Sequence, residues 1–288
     1  MKAEVVVDGI PFGEGPVWCD DGTLVVTSVA GGCLYRVWPE QHRREVLADT
    51  GGGANGAVAA SDGGFLVTQN GGFDFSAVGL FEDPPPVRYA TPGLQRVGPD
   101  GDVDYVADVG FHAPNDLCVD ADGTVWFTDP GHYPPPEPPI GRVLALRPDG
   151  SVETVADGFW YCNGIALDPD GELVVVERAG LQRVAKDGSR REWVCKLLGR
   201  GGGDGFCLDA EGNYYVASTI EHGVRVLDAG GRELDFLEID GQGVTTNCCF
   251  GGPDGRWLFA TDAVPGRVVV WEGLPTPGLP MRPWPVPS

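Results

Sequence analysis

The nine residues Asn163-Gly164-Ile165-Ala166-Leu167-Asp168-Pro169-Asp170-Gly171 decide the fold. A polar residue stands before a short apolar run, the run ends in a turn that closes on glycine, and a second apolar run follows. Short apolar runs separated by Asp- and Gly-containing turns are typical of antiparallel strands. The phrase occurs six times, with the turn glycine always eight residues after the leading polar residue: Glu14 and Gly22, Asn55 and Gly63, Asn115 and Gly123, Asn163 and Gly171, Asp204 and Gly212, Asn247 and Gly255.

The six copies have the spacing of propeller blades. Their leading residues are 41, 60, 48, 41 and 43 residues apart, and repeats of about 40 to 45 residues with several strands each are typical of β-propellers. The 45 glycines and 25 prolines, about a quarter of the 288 residues, agree with many short strands and turns. We therefore predict an all-β chain in which residues 1–288 form one six-bladed β-propeller domain. Third strands are predicted at Gly32–Val37, Gly141–Leu146, Gly223–Leu227 and Gly266–Val270.

The last repeat provides three strands and then a proline-rich tail from Pro275. We predict that Ala3–Val7 returns to this blade as its fourth strand, so that every blade has four strands and the ring has no exposed edge. Two proline-rich stretches, Pro84–Pro86 and Pro134–Pro139, interrupt the repeat pattern and indicate stiff loops rather than strands. Each is interpreted either as a lid at the mouth of the central channel or as an ordinary surface loop.

Charge and composition narrow the possible partners. The chain has 42 acidic and 20 basic side chains, a net charge of −22, which disfavours binding to phosphate backbones or anionic lipid. Its N-terminus has no long apolar signal region and no stretch is long enough to span a membrane. The eight cysteines lack zinc-site spacing. We expect reduced thiols in a cytoplasmic protein, a monomer or weak dimer that binds neither nucleic acid nor membrane.

All six leading residues are Glu, Asp or Asn, although they precede apolar strands. Because the innermost strands of a propeller start at the same end of the channel, these side chains are predicted to form a ring around the axis. Converging carboxylate and amide oxygens suit a hard divalent cation. A turn role would tolerate Ser, Gly or Thr at some positions and does not account for Glu14, so the pattern favours a metal site.

Several motifs resemble the regucalcin (senescence marker protein)/gluconolactonase family, in particular its bacterial lactonases. They occur in the family's order along nearly the whole chain: Gly13–Trp18, Pro114–Leu117 with Trp126–Pro130, Asn163–Ala166, Asp204–Asp209 and Thr245–Gly252. The resemblance implies a six-bladed propeller with one divalent ion, calcium or else zinc, manganese, magnesium or iron, that most often hydrolyses lactones. It also implies that Glu14, Asn163 and Asp204 hold the metal, and that Asn115 is a fourth ligand or holds substrate or water.

On this resemblance the expected reaction opens a lactone ring by attack of an activated water on a polarised carbonyl. Asp204 is the candidate general base, and Asn115 is the second candidate catalytic residue. Asp116 is a candidate for positioning water or substrate, with a turn carboxylate as the alternative. Of the loop histidines, His132 is the stronger candidate for substrate binding and His112 the weaker; for both, a solvated surface role is the alternative.

The sequence leaves the substrate open. Animal regucalcin-like members carry an arginine where this chain has Ala113, which weakens a direct assignment to sugar lactones. Aromatic residues precede several repeats, and among them Trp160 is a candidate substrate contact. These aromatic side chains either bind an apolar or aryl lactone or ester, or they simply pack between blades. The remaining alternatives are a related metal-dependent aryl-ester or phosphotriester hydrolase and a non-catalytic or biosynthetic propeller that binds a small molecule. The aromatic residues that precede the repeats are Phe73, Phe75, Phe111 and Phe159–Tyr161.

Overall fold

The computed structural model describes residues 1–285 and contains six sheets of four antiparallel strands. Innermost strands of neighbouring sheets contact one another around a closed ring, so the predicted six-bladed β-propeller is confirmed. Blade 1 consists of β2 (Gly13–Trp18), β3 (Leu24–Ser28), β4 (Cys33–Trp38) and β5 (Arg43–Asp49); blade 2 of β6 (Ala54–Ala59), β7 (Phe65–Gln69), β8 (Gly93–Val97) and β9 (Val103–Ala107); blade 3 of β10 (Leu117–Val119), β11 (Val125–Asp129), β12 (Gly141–Leu146) and β13 (Val152–Phe159).

Blades 4 to 6 repeat this arrangement, with strands numbered outward from the axis. Blade 4 consists of β14 (Cys162–Leu167), β15 (Leu173–Glu177), β16 (Gly180–Val184) and β17 (Arg191–Cys195); blade 5 of β18 (Gly203–Leu208), β19 (Tyr214–Ser218), β20 (Gly223–Leu227) and β21 (Glu233–Glu238); blade 6 of β22 (Val244–Gly251), β23 (Trp257–Val264), β24 (Arg267–Trp271) and the N-terminal β1 (Glu4–Asp8). Two short 3₁₀ helices, Pro39–Gln41 and Phe75–Ala77, complete the secondary structure of the described residues.

The N-terminal strand closes the ring as predicted, one residue further along the chain than expected. β1 pairs antiparallel with β24, with Glu4 opposite Val270 and Val5 opposite Val269. Val6 and Val7 are buried in the core that blades 1 and 6 share. Pairing the first strand with the last blade satisfies backbone groups that would otherwise lie on an open edge.

The constant position of the turn glycine has a conformational cause. All six turn glycines have positive φ, from 70° at Gly255 to 86° at Gly63 and Gly123, a region that side chains with a Cβ rarely occupy. Each glycine ends the tight turn between the first and second strands of its blade, because its N–H donates to the carbonyl three residues earlier, as Gly63 does to Ala60 at 3.1 Å.

The first strand of every blade begins at the same end of the ring, which is called the mouth here. Both proline-rich loops lie at this end, because they join the second and third strands of their blades: residues 70–92 connect β7 to β8, and residues 130–140 connect β11 to β12. The C-terminal tail crosses the opposite end. It pairs with blade 5 at Asp209–Gly278 and with blade 2 at Ala60–Trp284, and Trp284 is buried in the core of blades 2 and 3.

Candidate functional site

A local irregularity directs the leading residues towards the axis. In five of the six innermost strands the pairing register shifts at the leading residue, as between Glu14 and Val17 in β2 and between Gly203 and Phe206 in β18. Such bulges turn side chains away from regular alternation. Glycine follows four of the six leading residues because neighbouring strands approach closely there: a Cβ on Gly164 would lie 2.6 Å from the carbonyl oxygen of Asp204.

Buried threonine hydroxyls hold neighbouring blades together near the axis. Four of them donate to a backbone carbonyl in the next innermost strand: Thr27 to Asn55, Thr68 to Asn115, Thr128 to Asn163 and Thr246 to Gly13. The distance is 2.7 Å for both Thr128 and Thr246. Three of the four accepting carbonyls belong to leading residues, so these contacts set the height of the ring residues along the axis.

Asp116 reaches across the axis. Its two carboxylate oxygens each accept from Nδ2 of Asn247 at 3.1 Å, and the two residues belong to blades 3 and 6, on opposite sides of the ring. The same Nδ2 lies 3.3 Å from Oε2 of Glu14. Asp116 is buried and belongs to the central polar cluster, which favours the positioning role over the alternative of a turn carboxylate.

Three acidic side chains share this centre with little to neutralise them. Burial raises the pKa of Asp116 to about 7. Burial also raises the pKa of Asp204 well above its usual range, and the Asp116 carboxylate raises it further. The pKa of Glu14 is raised by burial first and then by Asp204 and Asp116. No basic side chain of residues 1–285 contributes to these shifts, so the cluster attracts positive charge.

The donor set at the axis fits a hard cation. Oδ1 of Asn163 and Oδ1 of Asn55 are buried and have no hydrogen-bond partner among the described residues, which leaves both oxygens available as ligands. Within residues 1–285, no three His, Cys, Asp or Glu side chains form a metal-binding group by themselves. A site here therefore depends on amide oxygens together with carboxylates, the oxygen ligands that calcium prefers.

A second set of buried acidic residues, which the sequence analysis missed, holds the loops at the mouth. Asp129 accepts from the backbone N–H of Ala113 at 2.6 Å and is paired with Arg142. Glu177 accepts from the N–H of Trp160 at 2.8 Å and from that of Tyr161 at 3.3 Å. Both carboxylates stand at the last position of a second strand. The sequence signal that identifies both residues is this shared position: an acidic residue that ends the second strand, beside the leading residue.

The aromatic residues divide between the core and the mouth. Phe159 is fully buried between blades 3 and 4, and Phe111 packs on Phe127 with ring centroids 5.8 Å apart, so for both the packing interpretation is correct. Tyr161, in contrast, lies beside the central cluster. Its pKa is raised by burial and then by Asp204, with Glu14 also contributing, so its hydroxyl lies within range of their charge.

The loop residues predicted to bind substrate have different surroundings. The Trp160 ring lies 4.5 Å from the Arg178 guanidinium, and its backbone is held by Glu177. His132 is exposed on the 130–140 loop. The Nδ1 atom of His112 lies 3.9 Å from Asp129. Trp160 thus lies three positions before Asn163 in the chain, and substrate contacts of Trp160 and His132 stay predictions.

Comparison with known proteins gives a consistent result. The sequence model described as SMP-30/Gluconolactonase/LRE-like region matches residues 12–264. A gluconolactonase from Zymomonas mobilis subsp. mobilis is 25% identical, over 89% of this chain and 77% of its own. The pentonolactonase XacC of Haloferax volcanii is 28% identical, over 91% and 86%. The solved structure of XC5397 from Xanthomonas campestris, described as a gluconolactonase, is 26% identical and superimposes with a TM-score of 0.76, covering 94% of this chain and 89% of that one.

In the described part of the chain, no helix has the length and apolar character needed to cross a bilayer.

Proposed function

Since the chain belongs to the SMP-30/gluconolactonase/LRE-like family, we propose that it is a lactonase that uses one divalent cation, calcium in the first instance. The observation that carries this proposal is the cluster at the axis, where the buried Glu14 and Asp116 and the half-buried Asp204 all have raised pKa values without a basic partner. The relatives that are named gluconolactonase and pentonolactonase support a lactone as the substrate.

Glu14, Asn163 and Asp204 would hold the cation, because each contributes a side-chain oxygen to the mouth end of the axis. When bound, a divalent cation supplies the positive charge that stabilises the oxyanion formed as water adds to a lactone carbonyl. The unpartnered Oδ1 of Asn163 supports its place in this set. Asn55 carries a second unpartnered oxygen at the same level of the ring and joins Asn115 as a candidate for a further ligand or for holding water.

The proton of the attacking water would go to a carboxylate of this cluster. Asp204 is the proposed base, and the side-chain amide of Asn163 hydrogen-bonds to it and lowers its pKa in part. A base is most effective when its pKa lies near the working pH, and burial moves the carboxylates of this cluster in that direction. Asp116 would position the water or the substrate hydroxyl, because Asn247 holds its two oxygens in place.

The test is hydrolysis of a lactone panel, followed by proton release, with purified protein in EDTA and after addition of calcium, manganese, zinc or magnesium. We expect activity that disappears in EDTA, returns with at least one cation, and falls by about 10²-fold or more in Asp204→Asn, the size typical of losing a general base. Asp104→Asn is the matched control, because Asp104 is exposed on the outer strand β9. Activity that is unchanged in EDTA and in Asp204→Asn would contradict the proposal.

The same panel separates the alternatives. If aryl esters or phosphotriesters turn over faster than every lactone, with the same cation and Asp204 dependence, the protein is a related esterase. If folded protein hydrolyses none of these compounds with any cation, the lactonase proposal fails and a ligand-binding propeller remains.

A further inference from the structure

Two groups of aromatic side chains stand at the mouth next to candidate metal ligands. The first aromatic wall consists of Phe12, Phe73, Phe75 and Phe81. Phe75 is buried at its centre, with ring centroids 4.7 Å from Phe12, 4.9 Å from Phe73 and 5.3 Å from Phe81. Three of the four rings come from the 70–92 loop, and Phe12 precedes Glu14 by two positions.

The backbone at Phe12 shows that this position is specified. Its φ of 46° lies in the left-handed region, which is costly for a bulky side chain and persists only where the surroundings impose it. The 70–92 loop that supplies its partners is itself fastened to blade 1, because Arg88 donates to both carboxylate oxygens of Asp49 at 2.8 and 2.9 Å. The long loop therefore folds towards the entrance above Glu14.

The second aromatic wall consists of Tyr133 and Tyr161. Their rings meet edge to face with centroids 5.5 Å apart. Tyr133 comes from the other long loop, and Tyr161 precedes Asn163 by two positions. Glu177 fixes the backbone of Tyr161 from below. Both long loops thus do the same thing: each places aromatic rings on an aromatic residue two positions before a candidate ligand.

The two walls lie on opposite sides of the axis. Glu14 belongs to blade 1 and Asn163 to blade 4, which face each other in a ring of six, just as blades 3 and 6 do through the contact of Asp116 with Asn247. Two further apolar side chains are exposed on loops at the mouth, Tyr89 at 80% and Val109 at 83%. The four phenylalanines of the first wall offer no hydrogen-bonding group to the hydroxyls of a sugar, and the second wall offers only its two tyrosine hydroxyls.

We propose that the space between the two aromatic walls takes the apolar substituent of the substrate, so that the preferred lactones carry an alkyl chain of several carbons rather than a set of hydroxyl groups. This inference rests on the proposed lactonase function and adds the substrate class. The lactone ring lies at the central carboxylates, and its substituent extends between the walls towards the exposed apolar rim.

The test measures kcat/KM for γ-lactones of increasing chain length, from γ-butyrolactone to γ-decalactone, beside gluconolactone. We expect kcat/KM to rise by about 2-fold to 4-fold per methylene over the first carbons, the range that corresponds to burial of a CH₂ group. Phe81→Ala and Tyr133→Ala flatten this dependence on chain length. The control Val46→Ala, at an exposed position on the outer strand β5, leaves the dependence unchanged.

A second measurement separates this inference from the reaction. Binding of 2-alkylcyclopentanones, which resemble the lactones and cannot be hydrolysed, is followed by calorimetry with the same variants. Affinity that rises with chain length and falls in Phe81→Ala, without hydrolysis of any lactone, would support the substituent site and overturn the lactonase proposal. Equal kcat/KM for short and long lactones, or a preference for gluconolactone, would overturn the inference and leave the lactonase intact.

Discussion

Replacing Asp116 with asparagine should stabilise the metal-free protein at alkaline pH. The pKa of Asp116 is raised from 3.8 to about 7 by burial, so the folded state favours the protonated carboxyl while the unfolded chain ionises near 4. Stability is therefore lost as the pH rises from about 4 to about 7, and the loss stays constant above that range. Asparagine has the same shape, keeps an acceptor for Asn247 and carries no charge, so the variant escapes this loss.

The size of the effect follows from the two pKa values. Their difference corresponds to about 4 kcal/mol of unfolding free energy at pH 8.5, since each unit is worth about 1.4 kcal/mol. At pH 5.5 about half of this cost has already appeared. Between pH 5.5 and 8.5, the wild-type protein should therefore lose about 2 kcal/mol more than Asp116→Asn. Asp116 raises the pKa values of Glu14 and Asp204. Removing its charge therefore lowers both pKa values, which also favours the folded state of Asp116→Asn at alkaline pH.

The assay is urea unfolding in EDTA at pH 5.5 and 8.5 for wild type, Asp116→Asn and the control Asp100→Asn, an exposed position at a blade turn. The control should follow the wild type at both pH values. Saturating calcium should remove most of the advantage of Asp116→Asn, because a cation between the carboxylates offsets their repulsion. If Asp116→Asn and wild type lose equal free energy between the two pH values in EDTA, the carboxylates are not confined together as the structure indicates.

Three further substitutions test other contacts. Thr68→Val removes the buried hydroxyl that donates to the carbonyl of a leading residue, and it should cost about 1–3 kcal/mol of unfolding free energy in urea titrations. Trp284→Ala removes the buried anchor of the C-terminal tail and should cost about 3 kcal/mol, whereas Met281→Ala, at a residue 53% exposed on the same tail, should change stability by less than about 0.5 kcal/mol. Glu177→Ala leaves two backbone N–H groups at the mouth without their carboxylate acceptor. We expect kcat/KM for lactones to fall about 10-fold or more, because displaced site residues cost this much in rate. An unchanged kcat/KM would show that this loop does not position the site.

The parts of the fold that could be predicted are those with local causes. A tight turn that needs positive φ requires glycine at one position in every blade, as at Gly63, so the offset repeats although the strands between differ in sequence. The leading polar residues could be predicted for the same reason, because five of the six stand at a bulge in an innermost strand. Closure by the N-terminal strand followed from counting strands, and the strand differs from the expected Ala3–Val7 only by a shift of one residue, to Glu4–Asp8.

The parts that could not be predicted depend on contacts between distant positions. Asp116 and Asn247 are 131 residues apart in sequence and meet only because blades 3 and 6 face each other. From the sequence, Asp116 looked like a turn residue as much as a site residue, since Asn-Asp before a strand serves either role. What decides between the two roles is burial beside two further carboxylates, a property of the closed ring.

The two long loops show the same dependence on closure and give it a functional meaning. Their proline content predicted stiff connections, but not that each would place rings on the residue two positions before a candidate ligand. The six repeats provide a nearly symmetric ring of candidate oxygen ligands, and a symmetric ring has no preferred direction for a substrate. The long loops at the mouth come from blades 2 and 3. Their aromatic walls reach the entrances beside blades 1 and 4, and they break that symmetry. On the proposed function, the chemistry therefore depends on what the blades share, whereas the choice of substrate depends on the two insertions that they do not share.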